Sequence, residues 1–265
     1  MARRTVIDDP DDPRFAQFRL HERGLASRAD KRDDAGAGRF LAEGDLVVER
    51  ALGAGCVPVA ALVDLDDVPP VADRLGCPVY GGGLEVRRVV SGLGMPQRVI
   101  ALFRRPARPS AAELLTCGRR LVVVEAVDNP ANVGAIVRNA SAFGWDGLLF
   151  DHTSADPLSR RALRVAMGTT FLLPHARTTD LAGELRARSG AAGLHLLALT
   201  PDAAARPIDA VTRTERLAVV VGSERGGLSD ALLDLAEPVR IPMAPGVDSL
   251  NVAAATAVAC WQLRG

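Results

Sequence analysis

The sequence has few cysteines, and they are not arranged to hold a metal. Its four cysteines, Cys56, Cys77, Cys117 and Cys260, are scattered along 265 residues, with no CxxC pair and no histidine at ligand spacing. Structural metal sites built on cysteine depend on closely spaced Cys and His ligands. We therefore predict no metal, and we interpret the cysteines as small buried hydrophobic residues in a reducing compartment.

Long apolar runs are missing as well. No stretch reaches the roughly 20 apolar residues that a membrane-spanning helix needs. The N-terminal residues 1–4 read MARR and lead into an Asp- and Pro-rich stretch, which lacks the apolar core of a signal peptide. We expect a cytoplasmic protein with no membrane partner.

The chain also has no net charge to suggest a polyanionic partner. Thirty-two Lys and Arg residues balance 32 Asp and Glu residues, and Lys31 is the only lysine. A strongly basic domain would have argued for nucleic acid, and this sequence gives no such general argument. Arginine pairs at 104–105, 119–120 and 160–161 leave two interpretations open, local basic patches or ordinary solvated surface charge.

Two phosphate-binding motifs are absent. The sequence contains neither GxxxxGK(S/T) nor a GxGxxG that opens a helix after a strand. The sequence therefore lacks the phosphate-binding loops that are usual in nucleoside triphosphate hydrolases and in dinucleotide-dependent redox enzymes.

What the sequence does contain is an α/β pattern in two parts. Hydrophobic residues make up 48% of the chain and charged residues 24%, as in a folded soluble protein. We predict an N-terminal arm at 1–38, a small α/β sandwich domain at 39–105 and a larger α/β domain at 106–265. The boundary rests on Pro106 and Pro109, which favour an extended connector.

Alternating strand and helix patterns define both predicted domains. In the first they are helix Asp45–Ala54, strand Val57–Val63, helix Val68–Leu75, strand Pro78–Tyr80, helix Leu84–Val90 and strand Arg98–Phe103. In the second they are strands Leu121–Glu125, Gly147–Asp151, Leu194–Leu199, Leu217–Val221 and Val239–Ile241, with helices Asn132–Phe143 and Ser249–Leu263. This alternation predicts a mostly parallel sheet covered on both faces in the second domain.

Three polar or glycine-rich segments follow strand ends of the second domain, where open α/β sheets bind ligands. The first, residues 128–140, contains Asn132 and Arg138. Asn132 could be an N-cap of the next helix, but this does not account for Arg138, which lies about one and two-thirds turns further on. Only the fold can say whether both residues reach one site.

The second and third segments each have a plain structural interpretation too. Residues 222–228 could be only a tight strand-to-helix turn. In residues 241–255, Ser249 could be an N-cap and Asn251 a surface residue of the helix. However, two prolines and a glycine before an Ala-rich helix suggest a backbone in close contact with a ligand, and free backbone N–H groups suit an adenine or a carboxylate.

Taken together, the three segments resemble the motifs of the SpoU/TrmH family, within the SPOUT class of RNA methyltransferases. The matching stretches are NxGAIxRxA at 132–140, GxExxG at 222–227, IPM at 241–243 and SLNV at 249–252. The resemblance covers about 121–263. The first domain, with FLAEG at 40–44, looks like the family's L30e/L7Ae-like RNA-binding domain.

The resemblance implies a homodimer whose catalytic domain has a deep C-terminal trefoil knot and binds S-adenosylmethionine. It places cofactor contacts on Leu199, Thr200, Gly222, Glu224, Ile241, Met243, Ser249 and Leu250. It places the catalytic set on Asn132, Arg138, Glu224, Ser249 and Asn251. Arg138 would act in a site completed by the partner chain.

The implied reaction is methylation of a ribose 2′-hydroxyl in structured RNA, with ribosomal RNA favoured over transfer RNA. Arg138 is either the base or an electrostatic group; we favour the second, because a guanidinium keeps its proton in proteins. Two alternatives are an RNA-binding protein that has lost catalysis and a small-molecule methyltransferase of the Rossmann type. The target nucleotide is not readable from the sequence.

Overall fold

The computed structural model describes residues 4–92, 94–189 and 193–264. The strands are β1 Arg4–Val6, β2 Arg39–Glu43, β3 Pro58–Asp64, β4 Val79–Gly82, β5 Val99–Arg104, β6 Arg120–Val124, β7 Gly147–Asp151, β8 His175–Thr178, β9 His195–Leu199, β10 Arg206–Pro207, β11 Leu217–Val221 and β12 Glu237–Arg240. The α-helices are α1 Glu22–Leu25, α2 Asp45–Gly53, α3 Leu84–Ser91, α4 Ala111–Cys117, α5 Pro130–Ala142, α6 Arg160–Val165, α7 Leu181–Ser189, α8 Asp230–Leu233 and α9 Val252–Gln262. Short 3-10 helices lie at Pro13–Phe15, Pro70–Arg74, Thr169–Phe171 and Ile208–Ala210.

The chain forms two compact units. The first contains residues 1–107 and 158–172, and the second contains residues 108–157 and 173–265. The division after residue 107 falls within the Pro-containing connector. The sequence pattern did not show that residues 158–172 group with the first unit.

The first unit is built on a five-stranded mixed sheet in the order β1-β4-β3-β5-β2. β4 is parallel to β1 and β3, whereas β5 is antiparallel to β2 and β3. Along β5, Val99, Ala101 and Phe103 belong to one buried cluster, and Ile100 and Leu102 belong to another. Because side chains alternate between the two faces of a strand, both faces of this sheet are covered.

The N-terminal segment contributes to this first unit. Phe15, Phe18 and Leu25 are buried and lie in the same cluster as Leu62 and Ile100. The structure therefore differs from the predicted arm at 1–38, since the described part of that segment packs on the sheet. The segment has many charged residues of both signs and few large apolar ones, so its sequence pattern did not predict that it packs on the sheet.

The segment at 158–172 joins the first unit for two reasons. Leu158 and Leu163 are buried in the cluster that also holds Phe40. In addition, the buried carboxylate of Glu43 forms an ion pair with Arg160. Tertiary packing and a buried charge pair decide this grouping, and neither has a signature in the local sequence.

The second unit is built on a seven-stranded sheet in the order β10-β12-β9-β11-β6-β7-β8. Every strand pairing recorded for it is parallel. The central strands β6, β7, β9 and β11 are almost entirely buried, which explains their continuous apolar runs. The parallel α/β sheet is confirmed, while the trefoil knot stays a prediction.

Several elements differ from those predicted. The helix expected at Val68–Leu75 is only a 3-10 helix at Pro70–Arg74, because Pro69 and Pro70 restrict the backbone at its start. The sequence pattern missed α4, α7 and β8. Ser110 and Glu113 form a capping box at the start of α4, and this signal was readable from the sequence.

The cysteines are unpaired thiols. Burial raises the pKa of Cys56 and of Cys77 to about 11, so both stay protonated at neutral pH. Cys117 is exposed and Cys77 only partly buried, so the expectation that all four would be buried holds for Cys56 and Cys260. Within the described residues no helix is long and apolar enough to cross a membrane, and no group of three or more His, Cys, Asp or Glu side chains could hold a metal ion.

Candidate active site

A cavity lies at the carboxyl ends of three neighbouring strands of the second unit. Its volume is about 590 Å³, within the range of roughly 300–1,000 Å³ that is usual for small-molecule sites. The loops that follow β9, β11 and β12 form its walls, together with the start of α9. Its lining includes every predicted cofactor contact, namely Leu199, Thr200, Gly222, Glu224, Ile241, Met243, Ser249 and Leu250.

Eight further residues line the cavity without having been predicted as cofactor contacts. They are Pro201, Val221, Ser223, Arg225, Gly227, Asn251, Val252 and Ala255. Five of them are adjacent in sequence to a predicted contact, whereas Gly227, Val252 and Ala255 lie two to five positions away, so the lining extends beyond the predicted residues. Arg225 is exposed at the wall and is a positive charge that the sequence analysis did not consider.

The turn after β11 is closed by its own backbone. Ser223 and Gly227 exchange hydrogen bonds of 3.2 and 3.0 Å between their amides and carbonyls. A Cβ on Gly222 would lie 2.2 Å from the carbonyl oxygen of Gly227, and Gly227 itself has a φ of +65°. The glycines are therefore required by the turn itself, which holds Glu224 at the cavity wall.

The segment between β12 and α9 is mostly exposed, and it leaves backbone donors available. The N–H groups of Ile241, Met243 and Leu250 donate no hydrogen bond to the described residues. α9 begins at Val252, and its N-cap is Asn251, whose Oδ1 accepts from the amides of Ala253 and Ala254 at 3.0 and 3.3 Å. The N-cap interpretation of Ser249 is therefore wrong, because the helix begins later than predicted.

Three side chains from distant parts of the sequence meet at the cavity wall and form a polar triangle. The Nδ2 atoms of Asn132 and Asn251 both donate to Oε1 of Glu224, at 2.9 and 2.6 Å. Asn251 Nδ2 also lies 3.2 Å from Asn132 Oδ1. The N-cap of α5 is Asn129, so the N-cap interpretation of Asn132 is wrong as well.

Arg138 does not enter this triangle. It lies six positions after Asn132, which places the two side chains about 120° apart around α5. Asn139, two turns beyond Asn132, donates to the carbonyl oxygen of Ala253 at 2.9 Å, so that face of α5 packs against α9. Arg138 is exposed and makes no hydrogen bond or ion pair with the residues that the structure describes.

The predicted catalytic set is thus divided. Glu224, Ser249 and Asn251 line the cavity, and Asn132 is hydrogen-bonded to two of its wall residues. Arg138 lies on a different face of the same helix with its charge free. The site presents the carboxylate of Glu224, two oriented amides, the exposed guanidinium of Arg225 and backbone donors that the described residues leave unused.

A parallel sheet with a cavity at the carboxyl ends of its strands is the arrangement in which α/β proteins bind their ligands. Residues 119–261 match the model of the SpoU rRNA Methylase family. The chain therefore belongs to that family, which confirms the resemblance noted in the sequence.

Relatives and solved structures agree with this assignment. An uncharacterised tRNA/rRNA methyltransferase of Mycobacterium bovis is 38% identical, over 97% of this chain and 90% of its own length. The 23S rRNA (guanosine(2553)-2′-O)-methyltransferase RlmP of Bacillus subtilis is 29% identical, over 89% of this chain and 92% of its own length. The AdoMet-bound rRNA methyltransferase of Sinorhizobium meliloti has the same fold, with a TM-score of 0.82 at 24% identity, over 98% of this chain and 97% of that one.

Proposed function

We propose that this protein transfers a methyl group from S-adenosylmethionine to a ribose 2′-hydroxyl of structured RNA. The observation that carries the proposal is the convergence of three separate sequence segments on one cavity, with the Asn132–Glu224–Asn251 triangle in its wall. Family membership supports the methyl-transfer chemistry, and the name of the Bacillus subtilis relative supports the ribose 2′-oxygen as acceptor.

The cavity fits S-adenosylmethionine by its volume and by its chemistry. Apolar side chains of Leu199, Ile241 and Leu250 can cover an adenine ring, and the free backbone donors of Ile241, Met243 and Leu250 can recognise its nitrogens or a carboxylate. The carboxylate of Glu224 can offset the positive charge of the ligand. When bound, the cofactor supplies an electrophilic methyl group on a sulfonium ion.

The residues of this chain would act by orientation and electrostatics. The bound cofactor would supply the methyl group, and the residues of this chain would hold the ribose 2′-hydroxyl in line with it, with the hydroxyl proton passing to solvent water. The triangle fixes Glu224, since two amide donors engage the same oxygen. We assign Arg138 to binding an RNA phosphate or stabilising the 2′-oxygen, because its guanidinium is exposed and makes no ion pair with the described residues.

We further propose that two copies of the chain act together in the cytoplasm and that ribosomal RNA is the substrate. Arg138 is outside the cavity lining of its own chain, which is the arrangement expected if it completes the site of a partner. The names of the relatives include both rRNA and tRNA, and the relative named for a defined position acts on 23S rRNA. Residues 39–105 are the proposed L30e-like RNA-binding domain.

The decisive measurement is the transfer of labelled methyl from S-adenosylmethionine to ribosomal and transfer RNA of a strain that lacks the gene. We expect label in an alkali-resistant dinucleotide of ribosomal RNA, and a loss of at least about 100-fold in turnover for Arg138→Ala, within the range of a lost electrostatic group. Arg186→Ala, an exposed arginine of α7, is the matched control and should retain activity.

Each alternative has its own outcome. If the protein binds the cofactor and labels only transfer RNA, the substrate is transfer RNA rather than ribosomal RNA. RNA binding without cofactor binding would instead indicate a catalytically silent RNA-binding protein and contradict the proposed enzyme.

A further inference from the structure

The loop between β6 and α5, residues 125–129 and here called the anchored loop, has an unusual backbone. Ala126 has a φ of 53°, a left-handed conformation that is uncommon for residues with a Cβ. Such a conformation persists where surrounding contacts hold it. α5 begins at Pro130, directly after the loop, so the shape of the loop sets where Asn132 and Arg138 stand.

Two buried side chains from the next loop along the sheet hold this backbone. Oδ1 of Asp151 accepts a hydrogen bond from the amide of Ala126 at 3.0 Å. Oγ of Ser154 accepts from the amide of Val127 at 3.1 Å. The amide of Ala155 in turn donates to the carbonyl oxygen of Val127 at 2.8 Å. Successive polar groups of the anchored loop are therefore bound by residues 151–155.

Asp151 is itself fixed. Its carboxylate accepts from the amides of Thr153 and Ser154 at 3.0 and 2.9 Å and from both of their hydroxyl groups. Burial raises the pKa of this carboxyl group, but the hydrogen bonds from Ser154, Thr153 and Ala126 outweigh burial, so the pKa lies below its usual value. Asp151 is therefore ionised at neutral pH, and its hydrogen bonds are charge-assisted.

The loop that carries these residues is held from its other side by a buried arginine. Arg177 on β8 donates to the carbonyl oxygens of His152, Ser154 and Ala155 at 3.3, 2.9 and 2.9 Å. A buried guanidinium bound to three carbonyls of one short loop leaves that loop little freedom. Asp151 and Ser154 therefore offer the anchored loop a rigid support.

The anchored loop also connects to the turn that carries Glu224. The carboxylate of Glu125 accepts from the amide and the hydroxyl of Ser229 at 2.8 and 2.7 Å. Ser229 lies two residues beyond Gly227, at the start of α8. The first residue of the anchored loop, Glu125, is thus bound to the segment that follows the Glu224 turn, and its last residue, Asn129, leads into the helix of Asn132.

We propose that Ser154, acting with Asp151, is a positioning residue for methyl transfer. It does not line the cavity. It fixes the anchored loop and so sets the position of Asn132 against Glu224 and of Arg138 at the acceptor. This inference rests on the proposed function, and it predicts that turnover depends on a residue that leaves cofactor binding unchanged.

Thr153 provides a matched control, because Ser154→Ala and Thr153→Ala each remove one hydroxyl group that donates to Asp151. Only the Ser154 hydroxyl also accepts the amide of Val127. A loss confined to Ser154→Ala therefore reports the contact with the anchored loop rather than the charge of Asp151. Because Ser154 is buried, the exposed Ser229→Ala serves as a second variant that removes one of the two hydrogen bonds to Glu125.

Three quantities are measured on the full-length protein: the dissociation constant of S-adenosylmethionine, hydrogen exchange at the amides of Ala126 and Val127, and kcat with saturating RNA. For Ser154→Ala we expect hydrogen exchange at these amides to become at least about tenfold faster and kcat to fall at least about tenfold. The dissociation constant of S-adenosylmethionine should stay within about twofold of the wild-type value. Ser229→Ala should lower kcat about threefold. Thr153→Ala should leave all three within about twofold.

Unchanged exchange in Ser154→Ala would overturn the anchoring, and faster exchange with full kcat would overturn the role in catalysis. Equal losses in Thr153→Ala would assign the effect to the charge of Asp151 and also overturn the proposal. If Ser154→Ala fails to fold, an unchanged kcat in Ser229→Ala would count against it. Wild-type protein that binds S-adenosylmethionine but methylates no RNA would contradict the proposed function, and the exchange rates would still decide the anchoring.

Discussion

The anchored loop and the loop at 241–251 lead to the same polar triangle, but different groups hold them. The anchored loop ends at the helix of Asn132, and buried side chains bind its amides. The loop at 241–251 ends at Asn251, is mostly exposed, and leaves the amides of Ile241, Met243 and Leu250 without a partner among the described residues.

This difference indicates a division of labour within the site. A loop whose amides are already bound by the protein is set before any ligand arrives. A loop with free amides gains its hydrogen bonds from the ligand. Changes near the anchored loop should therefore act on turnover, whereas changes in the cavity wall formed by 222–227 and 241–250 should act on cofactor affinity.

The largest effect on cofactor affinity is expected from Gly222→Ala. The added Cβ would lie 2.2 Å from the carbonyl oxygen of Gly227 and 2.4 Å from its carbon, both of them backbone atoms. Overpacking of this kind costs about 1–3 kcal/mol, and the turn must shift to relieve it. If the cofactor-bound conformation bears that cost, binding is roughly 5- to 150-fold weaker. Isothermal titration with S-adenosylmethionine measures this loss.

Gly226→Ala is the control for that substitution. It adds the same methyl group to the same turn, but the nearest atom to its Cβ is the side-chain oxygen of Ser223 at 3.3 Å. Its affinity should stay within a few-fold of wild type. Equal affinities of Gly222→Ala and wild-type protein would show that the turn does not shape the cofactor site.

Asn251 joins the two loops, and two substitutions separate its roles. Asn251→Ala removes the N-cap of α9, at a cost of about 1 kcal/mol or roughly 2–4 °C in Tm. Asn251→Ser retains a capping oxygen but is too short for the observed contact with Glu224. We expect both variants to lose turnover, and only Asn251→Ala to lose Tm, by calorimetry. Full turnover in Asn251→Ser would show that the triangle is dispensable.

The cofactor contacts that the family resemblance implies all lie at strand ends or in the segments that follow them. Eight predicted contacts line one cavity, since a parallel sheet brings the carboxyl ends of its strands to one edge. The eight residues came from the family resemblance, and the alternation of strands and helices accounts only for their convergence at one edge. The class of fold was predictable for the same reason.

What the sequence could not predict depends on distance along the chain. Asp151 and Ser154 reach residues 25 and 27 positions away, and only the register of neighbouring strands brings them together. Asn129 and Asn132 are both chemically acceptable N-caps, so the sequence did not decide between them. The left-handed backbone at Ala126 has no sequence signal, because alanine rarely adopts it.

The smallest effect is expected from Ala126→Gly, and it should be a gain. Glycine adopts a φ of 53° without the steric cost of a Cβ, although it also loses more backbone entropy on folding. We expect the free energy of unfolding to rise by up to about 1 kcal/mol, whereas Ala135→Gly inside α5 should lower it by roughly 0.5–1 kcal/mol. Urea unfolding of both variants measures these two changes in the free energy of unfolding, which we expect to have opposite signs. Because Asp151 and Ser154 still bind the loop, kcat should not change; a lower kcat in a more stable Ala126→Gly would mean that the alanine itself restricts the anchored loop during turnover.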